Sequence, residues 1–141
     1  MSDNDSILTF PIGKEITLTQ KVSESDVINF ADITGDKDPI HLDQEYAKST
    51  LYGERIAHGA LIIGYMSKAS TLIHEGFGRP LVSLGYDRIR LIEPVFIDDI
   101  ITIKYKVIDK DIDKSRTIAN ITVTNQRGNT VLVANHIQKI I

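Results

Sequence analysis

Cysteine and tryptophan are absent from all 141 residues. Without Cys there is no disulfide, no thiolate metal site and no thiol nucleophile, a composition compatible with a reducing compartment. No apolar run reaches the roughly 18–20 residues that a membrane-spanning helix needs. Met1-Ser2-Asp3-Asn4-Asp5 carries acids where a secretory leader would place basic residues ahead of an apolar stretch. The expected location is therefore cytoplasmic, with no membrane partner. A basic block is missing as well. Lys and Arg number 16 against 19 Asp and Glu, for a net charge of −3, so no nucleic-acid partner is expected.

What is present describes an ordinary globular protein, 42% hydrophobic and 25% charged, without repeats or low-complexity segments. Its length suits one domain over residues 1–141, with a flexible start over residues 1–10.

The residues from Glu15 to Val22 alternate polar and apolar, as a half-buried strand does. Ser23 reads as a helix N-cap with acids in the first turn, and Gly35 as the cap that ends that helix. Residues 43–48 could form a brief second helix. Ile62, Tyr65/Met66, Ala69 and Leu72/Ile73 recur at helical spacing in a segment apolar on nearly every side, the mark of a buried helix. Gly76-Phe77-Gly78-Arg79-Pro80 breaks it. Lacking Gly-Lys-Ser/Thr and following a helix, this segment reads as a turn and not a phosphate loop. Strand patterns follow over 81–91, 100–107, 116–124 and 130–140, the last two joined by a hairpin signal at Gln126-Arg127-Gly128-Asn129. This order predicts an α+β fold, an antiparallel sheet wrapped around a long central helix.

Chemistry concentrates in Thr34-Gly35-Asp36-Lys37-Asp38-Pro39-Ile40-His41. A carboxylate and an imidazole held near each other can divide general acid–base work, and Pro39 stiffens the backbone between them. On residue types alone two other readings stand beside this one. The stretch could be a helix stop followed by an Asx turn. Asp36, Asp38 and His41, with Asp43, could also hold a divalent cation, although the glycine punctuation of a calcium loop is missing. Arg88 and Arg90 read as a solvated sheet face, and His74 and His136 as surface or sheet positions without a special role.

Phe30-x-x-Ile33-Thr34-Gly35-Asp36-x-Asp38-Pro39-Ile40-His41, with Ala47 after five further residues, closely resembles the signature of the MaoC-like (R)-specific enoyl-CoA hydratases. His58-Gly59 ahead of an apolar helix is similar to the family's His-Gly segment, and Ser67 falls where many members carry a serine. The likeness covers roughly residues 15–140. It implies the hot-dog fold and reversible hydration of trans-2-enoyl thioesters, of CoA or a carrier protein, without a cofactor. It also implies Asp36 and His41 as the catalytic pair, with Asp38 and Pro39 in support. Gly59, Ser67 and His58 would form the oxyanion and substrate-binding set. On its residue type and place, His58 also reads as a group that holds the helix start by hydrogen bonding, and Ser67 as a hydrogen-bonding group and not a nucleophile. Asp38 stands where the family usually has Asn. An acyl-CoA thioesterase or a non-catalytic thioester-binding subunit are the alternatives. A homodimer or larger assembly is expected, because a hot-dog sheet has an edge strand to bury.

Overall fold

The computed structural model describes residues 3–141. Helix α1 (Asp3–Thr9) comes first, then strand β1 (Glu15–Lys21), helices α2 (Glu24–Thr34), α3 (Pro39–Leu42), α4 (Gln44–Lys48) and α5 (Gly59–Leu72). Strands β2 (Leu81–Leu91), β3 (Ile100–Asp111), β4 (Arg116–Thr124) and β5 (Thr130–Ile140) complete the chain. The strands form one antiparallel five-stranded sheet in the order β1-β3-β4-β5-β2. β1 and β2 therefore lie at opposite edges, and α5 runs across one face to connect them. This is the α+β, hot-dog arrangement expected from the sequence. No helix among the described residues is long and apolar enough to cross a membrane.

Period-two alternation decides which face is buried. Ile101, Ile103, Tyr105 and Val107 on β3 point into the core, as do Ala119, Ile121 and Val123 on β4. Ile62, Met66, Ala69 and Ile73 of the helical segment join the same cluster. Burying each such large aliphatic side chain stabilises the fold by about 1.5–3 kcal/mol. A bulge between Val107 and Asp109 lets β3 continue past the expected end at Val107.

Three expectations are corrected. Residues 3–9 form a helix where a flexible start was expected, and Ile7 and Phe10 are buried in the core, which ties this segment down. Met1 and Ser2 lie outside the described residues. Second, α5 is not buried all round: Ala60, Gly64, Ser67, Lys68 and Thr71 form an exposed stripe, because only one face of the helix meets the sheet. Third, His136 is fully buried on β5. Its Nδ1 lies 2.7 Å from the Tyr105 hydroxyl and its Nε2 2.7 Å from Ser83 Oγ. Tyr86 stacks on the ring at 4.3 Å. Desolvation pushes the imidazole pKa down to about 4. Gln138 extends the cluster by donating to the carbonyl of Ser70 on α5.

Candidate active site

Local capping builds the loop between α2 and α3. Ser23 caps α2 by accepting from the Asp26 N–H at 3.1 Å. Gly35 ends the helix at φ 79°, a left-handed conformation that glycine adopts without steric cost, and its N–H returns to the Ala31 carbonyl. Thr34 Oγ1 then accepts from the Asp36 N–H. The residues Asp38-Pro39-Ile40-His41 are not a plain turn. Asp38 caps α3, its Oδ1 accepting from the Ile40 N–H at 3.0 Å, and Pro39 occupies the first helical position. The single turn of α3 carries His41.

His41 is held from a distance. Its Nδ1 lies 2.7 Å from the carbonyl of Ile56. A carbonyl only accepts, so Nδ1 carries the hydrogen and Nε2 presents a lone pair in the neutral ring. Ile56 is itself anchored, bridging to Phe96 and donating its N–H to the Ile40 carbonyl at 3.2 Å. Asp36 is exposed, and its carboxylate accepts only a long 3.5 Å contact from the Asp38 N–H. Ligand-type atoms of Asp36, His41 and His58 lie within 4.8 Å of one another. The 22-residue separation of Asp36 and His58 is closed by a 2.9 Å bond from His58 Nε2 to the Asp36 carbonyl.

Two carboxylates of the alternative cation reading serve the local fold. Asp38 and Asp43 engage their Oδ1 atoms as caps of α3 and α4. The His41 and His58 ring centroids lie 3.7 Å apart, with the planes tilted by 30°.

A pocket of about 210 Å³ opens beside His41, lined among others by Tyr52, Ile56, Gly59, Leu91 and Leu132. It is apolar with a few polar groups, as small-molecule sites are. Gly59 is the first residue of α5, whose opening N–H groups lack intrahelical acceptors and sit at the positive end of the helix dipole. A Cβ at Gly59 would lie 2.5 Å from Leu91 Cδ1, the tip of an exposed side chain that would have to move aside.

Asp36, His41 and His58 are thus brought together, with Gly59 beside His41 at the pocket, while Asp38 and Pro39 open the turn that carries His41. Ser67 lies apart: it is exposed on α5, eight residues and about 12 Å of helix rise beyond Gly59. His58 does not hold the helix start either. It occupies the N-cap position of α5 without a side-chain capping bond and reaches to the Asp36 loop instead. Sequence reasoning missed the Ile56 carbonyl and the Tyr52 and Leu91 walls. A backbone carbonyl leaves no residue-type signal, and the β-branched Ile56 just ahead of Ala57-His58 was the single hint of an extended anchor.

Asp38 uses its carboxylate only as an acceptor, a duty that the Asn carbonyl oxygen performs equally. Asp38→Asn is therefore expected to leave the melting temperature within about a degree and turnover equal or higher. A tenfold fall in turnover would show that the second carboxylate has its own part in the chemistry.

A family model described as "MaoC like domain" matches residues 9–129. A 3-hydroxybutyryl-CoA dehydratase of Methylorubrum extorquens is 34% identical over 122 residues, 86% of this chain and 74% of the relative. An (R)-specific enoyl-CoA hydratase of Rhodospirillum rubrum is 33% identical over 106 residues, 72% of each. Among solved structures, an unliganded R-hydratase from Pseudomonas aeruginosa superposes with a TM-score of 0.82 at 30% identity, covering 95% of this chain and 84% of that one.

Proposed function

The chain belongs to the MaoC-like domain family, and on that premise we propose that it is a hydro-lyase interconverting trans-2-enoyl-CoA and (R)-3-hydroxyacyl-CoA thioesters. The observation that carries this reading is the convergence of Asp36 and His41 beside the opening amides of α5.

The chemistry follows from the donor and acceptor roles. Two hydrogen bonds of about 2.8 Å meeting at a tetrahedral angle span about 4.6 Å, inside the 4.8 Å within which ligand-type atoms of Asp36, His41 and His58 lie. A water placed there donates one hydrogen to the Asp36 carboxylate and the other to His41 Nε2. Its free lone pair then faces C3 of the enoyl group. As the C3–O bond forms, Asp36 takes the water proton, and the C2–C3 π electrons move toward the thioester carbonyl. The Gly59 N–H stabilises the negative charge that develops on that oxygen, a role worth about 2.7–4 kcal/mol for one such donor. Return of the proton from Asp36 to C2 completes the addition. Reversal of each step dehydrates the 3-hydroxyacyl thioester.

Incubation with crotonyl-CoA and longer 2-enoyl-CoA thioesters tests this reading. Loss of the enoyl absorbance without free thiol is the expected result. Thiol release would make the protein a thioesterase, and inertness toward every chain length would remove the enzyme assignment.

A homodimer belongs to the same proposal. β2 is an edge strand with Val82 and Leu84 exposed, and the Ala60, Gly64, Ser67, Lys68, Thr71 stripe of α5 is left uncovered by the described residues. Burial of both against a second copy resolves the free edge. Light scattering should give at least twice the 15.7 kDa chain mass, and a monomer at micromolar concentration would refute it. A cytoplasmic location also stays part of this reading: the composition is compatible with a reducing compartment, and no described helix is long and apolar enough to cross a membrane.

A further inference from the structure

We propose that His58 is a positioning residue that sets the geometry of both halves of the acid–base pair, in place of contacting the substrate. Four observations converge on it. Its side chain is 2% exposed, so it is walled off from solvent. Its Nε2 lies 2.9 Å from the backbone carbonyl of Asp36. Its ring lies against His41 at 3.7 Å on one side and makes a tilted 4.7 Å contact with Phe30 of α2. Its Nδ1 is buried without a partner.

The tautomer follows from these contacts. The Asp36 carbonyl accepts, so Nε2 carries the hydrogen and Nδ1 is the bare nitrogen. The ring's hydrogen is committed to a backbone carbonyl and not to a reacting group. Its geometry does something else. One bond holds the backbone of the Asp36 residue, and one ring face holds the plane of His41. The backbone of His58 leads directly into Gly59 and the opening amides of α5. The Asp36 backbone, the His41 imidazole and the chain leading into Gly59 are thus referred to one buried side chain, itself in contact with Phe30. The long loop contact of Asp36 gives no comparable restraint. An error of about 1 Å in such a constellation costs on the order of a hundredfold in rate.

The kinetic arm of the test rests on the proposed hydratase reading, and the spectroscopic arm does not. His58→Ala is expected to lower kcat on an enoyl-CoA thioester about a hundredfold while KM stays within about threefold. His58→Gln, whose amide can donate to the Asp36 carbonyl, is expected to recover at least about tenfold of that loss, with the pH profile of the wild type. A purely structural role would move the melting temperature without this recovery, and a proton-transfer role would remove one limb of the pH profile in both variants. A fall confined to KM, a kcat within about threefold of wild type in His58→Ala, or a His58→Gln no better than His58→Ala would each overturn the proposal. In the unliganded wild type, nitrogen-15 spectra at pH 7 should show His58 with its hydrogen on Nε2. The opposite tautomer would overturn the proposal whether or not the protein turns over a thioester. Inertness of the wild type toward all enoyl thioesters would count against the proposed function, and the tautomer measurement would still decide the placing of His58.

Discussion

Asp36→Asn and His41→Ala are each expected to reduce kcat for enoyl-thioester hydration by about 10²–10⁴-fold, the usual contribution of a positioned acid or base. Asn keeps the shape of the Asp side chain but has no carboxylate to take the water proton. Ala at position 41 removes the Nε2 acceptor that would orient the water. Neither change should unfold the protein. The Asp36 carboxylate is exposed and holds only the 3.5 Å contact, and His41 loses one hydrogen bond to the Ile56 carbonyl, worth about 0.5–1.5 kcal/mol. The melting temperature therefore separates lost chemistry from lost structure. Because the two groups would act on one water, the double variant should be little worse than the poorer single one. Wild-type turnover in both single variants would eliminate the mechanism.

The second large effect is loss of stability in mild acid. His136 is buried between Tyr105, Ser83 and Tyr86, and desolvation lowers its pKa from an ordinary 6.5 to about 4. The unfolded chain binds a proton at this site below about pH 6.5, whereas the folded chain resists doing so until about pH 4. Across that window the unfolded state holds more protons, so unfolding becomes easier as pH falls. The site contributes roughly 3 kcal/mol to that loss, complete once pH passes below the folded value.

Asp99 acts lower on the scale. Burial raises its pKa, but hydrogen bonds from Arg127, Gln126 and the Phe96 N–H outweigh burial and hold it below the usual carboxylate value. Its contribution is present above the unfolded carboxylate range and disappears as pH falls through the lowered value. Denaturant midpoints measured from pH 7 to 4 should therefore drop before any carboxylate effect sets in. His136→Gln, which does not titrate, should flatten that drop. An unchanged slope in His136→Gln would show that another group carries the acid sensitivity.

These cases show which features a linear reading can and cannot reach. The Ser23 cap and the Gly35 stop are decided by neighbours within about four residues, so residue types predict them. Asp38-Pro39 is equally local, an N-cap followed by proline at the first helical position of α3. The buried set on β3 and β4 follows from alternation alone. The carboxylate and imidazole of the proposed site were legible as candidates because one loop carries both, and the family resemblance singled them out from the turn and cation readings.

The spacing of Ile62, Met66, Ala69 and Ile73 did mark the face of α5 that meets the sheet, but the apolar character of its first half hid the exposed stripe on the other side. The burial of His136 was equally hidden. Its β5 position alternates correctly, but only the pairing of β5 with both β2 and β4 surrounds the ring. By itself, then, the sequence determined the order of elements, the caps and the Asp36–His41 loop, because these depend on interactions a few residues apart. The tertiary structure alone decided that the Ile56 carbonyl orients His41, that His58 reaches back to Asp36 and that Ser67 lies away from both. Those contacts join segments 15 and 22 residues apart, and their closure depends on how α5 crosses the sheet.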